Sequence, residues 1–145
     1  MAVVFYTEKV KWPSFLKKRR LGSWMKEVAA GYGKQMGIVT CLLCKDEKIL
    51  EVNRQFLQHD YYTDIITFDY SDGDVISGDV YISLDTVRSN SKVYGTAFSE
   101  ELLRVMIHGI LHLCGEHDKT TEEQSKMRLA ENSALALFIE KIGGC

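Results

Sequence analysis

With 145 residues, 46% of them hydrophobic and 26% charged, the chain is long enough to bury one core without disulfide staples. Its net charge of −2 excludes a uniformly basic polyanion binder, and no apolar run approaches the ~20 residues that span a bilayer. The opening segment Met1–Lys9 lacks a basic stretch followed by a long apolar one, so no signal peptide is expected and a cytoplasmic protein is.

Val3–Tyr6 reads as a short strand. From Pro13 to about Tyr32 the apolar residues Phe15, Leu16, Trp24, Met25, Val28 and Ala29 recur at helical spacing, with Gly31 and Gly33 as stop signals. This helix carries Lys17, Lys18, Arg19 and Arg20, the densest part of a basic block. Residues 1–34 hold eight Lys/Arg against two acids (Glu8, Glu27), and the remainder holds 10 against 18. The run reads either as a solvated helix face or as a phosphate-tracking patch that draws a polyanion toward the acidic half.

Ile38–Cys44 reads as a buried strand. Cys41-Leu-Leu-Cys44 has redox spacing, but a reactive thiolate needs a helix N-terminus, so both cysteines are expected in the core. Asp46 is expected to cap a helix over Glu47–Gln58. Thr63–Tyr70 reads as a strand by its β-branched and aromatic content, Ser71–Gly73 as a turn, and Asp79–Leu84 as a half-buried strand. After Asp85 the chain turns helical. Ser99 is the expected N-cap of an apolar helix that runs to Cys114 and stops at Gly115, and a last amphipathic helix covers Thr121–Lys141. The sum is an α+β single domain: a small mixed four-stranded sheet, helices packed on it, and a central buried metal-binding helix as in metalloproteases.

The informative segment is His108-Gly-Ile-Leu-His112-Leu-Cys-Gly115-Glu-His117-Asp118. Residues four apart share a helix face, so His108 and His112 can offer two imidazoles to one ion. Gly115 lets the chain turn back, and either His117 or Asp118 can supply a third ligand. Two core histidines without a metal are the alternative, but three of the four histidines fall within ten residues on the most apolar helix, and buried imidazoles without partners are costly. The spacing also follows the metzincin pattern of ligands at positions one, five and eleven, which selects Asp118. That pattern needs a Glu after the first His as general base; here it is Gly109, which speaks against a peptidase.

Three blocks together resemble the YbeY family of metal-dependent endoribonucleases. His108–Gly115 is similar to its His-Gly-x-Leu-His-Leu-x-Gly hallmark, Thr63–Phe68 to its Thr-Asp-Val-Leu-Ser-Phe strand, and Gly78–Ser83 to its Gly-Asp-Ile-x-Ile-Ser strand. The family usually has Gly-Tyr-Asp-His where this chain has Gly115-Glu-His-Asp118, so the resemblance places the third ligand on Asp118, with His117 as the alternative. Where the family has an Arg before the Thr-Asp block, this chain has Leu57; Arg54, nearby, could stand in.

The resemblance implies single-strand-specific cleavage of RNA in the maturation of 16S ribosomal RNA, with one divalent ion, Zn²⁺ first, and the small ribosomal subunit as a partner. Neither DNA nor a membrane is expected. No residue of the motif is an obvious general base; Glu116 and His117 are the nearest titratable groups and read as surface residues. RNA is expected to enter along Lys17–Arg20 and lie against the Asp79–Ser83 strand. The rivals are a hydrolase of another substrate class, and a non-catalytic ribosome-associated factor with a structural metal for which Cys114 would be a fourth ligand.

Overall fold

The computed structural model describes residues 3–57 and 63–142. The sequence alternates strand-forming and helix-forming stretches, and the chain follows them: β1 (Val3–Thr7), α1 (Lys18–Gly31), β2 (Gln35–Cys44), α2 (Asp46–Val52), β3 (Ile65–Asp69), β4 (Val75–Ser83), α3 (Leu84–Tyr94), α4 (Phe98–Leu113) and α5 (Thr121–Leu137). The four strands form one sheet in the order β1-β2-β4-β3. β1, β2 and β4 are parallel, and β3 runs antiparallel to β4 at the edge. This is the mixed four-stranded α+β sheet expected from the order of elements.

Alternation along the strands divides the interior in two. Cys41, Val80 and Ile82 belong to the main core, together with Trp24 and Met25 of α1 and Met106, Ile107 and Ile110 of α4. Cys44 and Ile66 point to the other face, where they meet Ile49 and Val52 of α2. Cys41 and Cys44 are therefore buried free thiols on opposite faces of one strand. Burial raises both, to about 12, which keeps them inert. α4 is apolar nearly all round because it lies between the sheet and the helices α1, α3 and α5.

Several boundaries differ from the sequence expectations. β2 begins earlier, at Gln35, and its register shifts between Met36 and Val39, which turns Ile38 outward at 62% exposure. Asp46 is the first residue of α2 and not its cap; its carboxylate instead accepts hydrogen bonds from the Ser83 and Thr86 hydroxyls. After Val52 the helix widens into a π-type turn over Asn53–Leu57, and Gln58, its expected end, lies outside the described residues, as does Cys145. Ser99 lies within the first turn of α4. The helix starts at Phe98, whose ring packs against Phe15 and Arg88, so aromatic packing and not a hydroxyl cap fixes its start. α5 ends at Leu137 and continues as a π-type turn, Phe138–Ile142.

Candidate metal centre

Two helix ends build the site. α4 closes with a Schellman cap: Gly115 takes φ +106°, its N–H donates to the His112 carbonyl, and the Glu116 N–H donates to the Leu111 carbonyl. The reversal brings Asp118 back over the last two turns of α4. Two residues later Thr120 and Glu123 form a reciprocal capping box. It starts α5 at a register that sets Glu131 against His108.

The three side chains converge on one point. Asp118 Oδ2 is 3.2 Å from His108 Nε2 and 3.4 Å from His112 Nε2, and one ligand atom of each residue falls within 4.8 Å of the others. A tetrahedral zinc with bonds of roughly 2.0–2.2 Å has edges of about 3.3–3.6 Å, so the spacing suits a first-row divalent ion. Both imidazoles are oriented from behind. His108 Nδ1 lies 2.7 Å from Glu131 Oε2, and His112 Nδ1 lies 3.0 Å from the Glu116 carbonyl. A carboxylate and a carbonyl only accept, so each Nδ1 carries the proton and each Nε2 lone pair faces the shared point.

Charge favours a cation there as well. The three residues line a groove of about 870 Å³ between α4, α5, the end of α3 and β3. Among the described residues its walls hold five carboxylates (Asp64, Asp69, Glu101, Asp118, Glu131) against Arg104 and Arg128, a formal charge of −3 with neutral imidazoles. Burial alone would lower the pKa of His108. The hydrogen bond and charge of Glu131, with Asp118 and Asp64, outweigh burial and hold it above its ordinary 6.5. For Glu131 burial works upward, but His108 and Arg104 together pull it below the usual carboxylate range. Burial pushes Asp64 up, against the pull of His108.

The other residues singled out in the sequence fall elsewhere. His117 is exposed on the groove rim, outside the three-residue cluster. Glu116 is not a surface residue: it is buried, accepts a hydrogen bond from the Tyr32 hydroxyl at 2.7 Å, and faces a second hollow beside Lys126. The Cys114 thiol packs into the core and is absent from the cluster. Lys17, Lys18, Arg19, Arg20 and Arg54 are exposed and none lines the groove. β4 is flanked by β2 and β3, and the strand along the groove is β3, through Ile65, Thr67 and Asp69.

Several groove residues escaped the sequence reading, Arg104, Glu131, Arg128 and Tyr94 among them. Arg104 could have been found, because Arg104, His108 and His112 are spaced at four on one face of α4. Glu131, Arg128 and Tyr94 carry no such signal; on α5 and α3 they read as ordinary solvated positions.

Gly109 has a packing cause. A Cβ there would meet Val80 Cγ1 at 3.0 Å and Ile65 Cδ1 at 3.1 Å, so α4 lies directly on the sheet and a peptidase glutamate would have to displace both side chains.

Comparison with known proteins assigns the chain to a family. A profile of the family described as Endoribonuclease YbeY matches residues 6–138. The chain is 60% identical over 137 residues to the endoribonuclease YbeY of Bacteroides thetaiotaomicron, covering 94% of this chain and 99% of the relative. It is 55% identical over 141 residues to that of Parabacteroides distasonis, covering 97% and 99%. Among solved structures it resembles the solution structure of TM1509 from Thermotoga maritima, with a TM-score of 0.67 and 26% identity over 99% of this chain and 96% of that one. The chain belongs to the endoribonuclease YbeY family.

Proposed function

We propose that this endoribonuclease-family chain cleaves single-stranded RNA using one divalent ion held by His108, His112 and Asp118, and that it acts in the cytoplasm on precursors of 16S ribosomal RNA at the small subunit. The observation that carries the reading is the convergence of two Nε2 atoms and Asp118 Oδ2, each imidazole fixed from behind, in a groove open to a polymer. Zn²⁺ suits this donor set, and the carboxylate makes Mn²⁺ or Fe²⁺ easier to accept than a third imidazole would. When bound, such an ion supplies Lewis acidity toward a phosphodiester and lowers the pKa of a water.

The chain's own residues do the rest. Glu131 holds the Nδ1 proton of His108 and keeps its Nε2 aimed into the groove. Arg104, fixed by Glu131 and Asn132, and the more exposed Arg128 present guanidiniums to a phosphate bound beside the ligands. Lys18, Arg19 and Arg20 occupy the first turn of α1 behind Lys17 at its N-cap. Cations at the positive end of a helix dipole cost about 0.3–1 kcal/mol each, and a flanking RNA backbone would offset that cost outside the groove.

Cleavage of a fluorescent single-stranded oligoribonucleotide tests the reading. Activity should vanish on chelation, return with one equivalent of Zn²⁺ or Mn²⁺, and be weak on duplex RNA or single-stranded DNA. Cleavage undiminished by chelation and by His112→Ala would remove the proposed centre. Replacing Lys17, Lys18, Arg19 and Arg20 by Ala should flatten the salt dependence of RNA binding; an unchanged slope would leave the basic block no role. Cells lacking the protein should accumulate 16S precursors, and normal processing would contradict the ribosomal part.

A further inference from the structure

We propose that Tyr94 is a stacking platform for an unpaired nucleobase and that it sets the preference of the groove for single strands; this rests on the RNA-cleaving reading above. Tyr94 is the last residue of α3, is 62% exposed, and lines the same groove as the three ligand residues. Gly95, at φ +69°, ends the helix behind it, and α4 begins at Phe98. Tyr94 therefore stands at the N-terminal end of α4, and His108 and His112 stand toward its other end. Phe98 to His108 is ten residues, roughly 15 Å at 1.5 Å per residue, a span of a few nucleotides at about 3.4 Å per stacked base. Arg104 and Arg128 line the groove as well, so a strand running along α4 meets a ring, guanidiniums and the ion ligands.

The charge of the groove is the second argument. With five carboxylates against two guanidiniums among its described lining residues, these groups sum to a formal −1 even with a divalent cation bound, and the Lys17–Arg20 block lies outside it. Net charge in the groove therefore does little to hold a polyanion, and a contact independent of charge adds to the local pull of the two guanidiniums. Tyr94 is the one aromatic ring besides the histidines among its described lining residues. Stacking on an aromatic ring is tolerant of base identity and is worth about tenfold or more in affinity per base. A duplex already stacks and pairs its bases, so it can reach the ring only by extruding one. The same ring thus favours single strands and leaves base choice open.

The test is fluorescence anisotropy with a labelled single-stranded 2′-O-methyl phosphorothioate oligonucleotide, which resists cleavage, on the metal-loaded protein. Tyr94→Ala should weaken binding about tenfold, while Tyr94→Phe and Tyr94→Trp keep it. In a series with one base at a time removed, the wild type should lose affinity at one or two positions and Tyr94→Ala should lose nothing further there. With cleavable RNA, Tyr94→Ala should raise KM for single strands, leave kcat, and leave duplex RNA untouched. Because the side chain is exposed, thermal melting should not change. Wild-type binding with Tyr94→Ala unaffected, or with equal losses for every abasic position in both proteins, overturns the stacking role and spares the RNA reading. A wild type that binds no single strand overturns both.

Discussion

Glu131→Gln isolates the contribution of one buried charge behind the metal site. Glu131 is 6% exposed and accepts from His108 Nδ1 at 2.7 Å and from Arg104 at 3.0 Å. Glutamine keeps the length and one acceptor oxygen but removes the charge. A hydrogen bond to a charged group contributes about 1.5–3 kcal/mol and a neutral one about 0.5–1.5, so the His108 contact should lose roughly 1–1.5 kcal/mol. At 1.36 kcal/mol per decade, that is on the order of tenfold weaker metal binding. Glu131→Ala also frees His108 to rotate and strips Arg104, whose side chain is 13% exposed, of its carboxylate; loss of such an outer partner typically costs 10–100-fold. Competition with a chromophoric chelator reads both constants directly. Affinities within twofold of the wild type in both variants would refute the orienting role of Glu131.

Other outcomes follow from packing and charge. Gly78→Ala should destabilise the fold by about 3 kcal/mol in denaturant unfolding, because the new Cβ would lie 2.3 Å from the Phe68 carbonyl oxygen on β3; a loss under 1 kcal/mol would mean that β3 yields easily. Gly109→Glu restores the peptidase motif, yet it should lower stability severely and yield no peptidase activity, since Val80 and Ile65 already fill the space. Soluble, folded protein at wild-type yield would contradict that packing. The pH dependence has two opposite signs. In the metal-free protein His108 has a raised pKa, so its pairing with Glu131 stabilises the fold fully below 6.5 and is lost as pH rises through the folded value. Metal must displace that proton, so metal affinity should rise over the same range. Melting and metal titrations between pH 5 and 8 check both slopes; parallel trends would contradict the coupling.

Much of the centre was legible because its elements are local. The four-residue spacing of His108 and His112 and the breaker at Gly115 lie within a dozen residues, and helix geometry turns that spacing into a shared face. What lies behind the ligands was not legible. Glu131 is 23 residues downstream of His108, and only the tertiary docking of α5 against α4 gives it a meaning. Glu116 was misjudged for the same reason, since its partner Tyr32 is 84 residues away. The fold was readable in its strands and order of elements, where β-branched runs and glycine turns agree. It was less so at helix ends, where Phe98 begins α4 by packing a half-buried ring and Asp46 serves Ser83 and Thr86 at the C-terminal ends of β2 and β4. Local capping rules lose there to contacts that only the folded chain supplies.

The most direct test of the central claim is metal content by mass spectrometry on the purified wild type and on His112→Ala, Asp118→Ala and His117→Ala. The geometry predicts about one divalent ion per chain, lost in the first two variants and kept in the third. Loss in His117→Ala with retention in Asp118→Ala would move the third ligand to the neighbouring residue. A wild type that takes up no ion even on reconstitution would contradict the account at its centre.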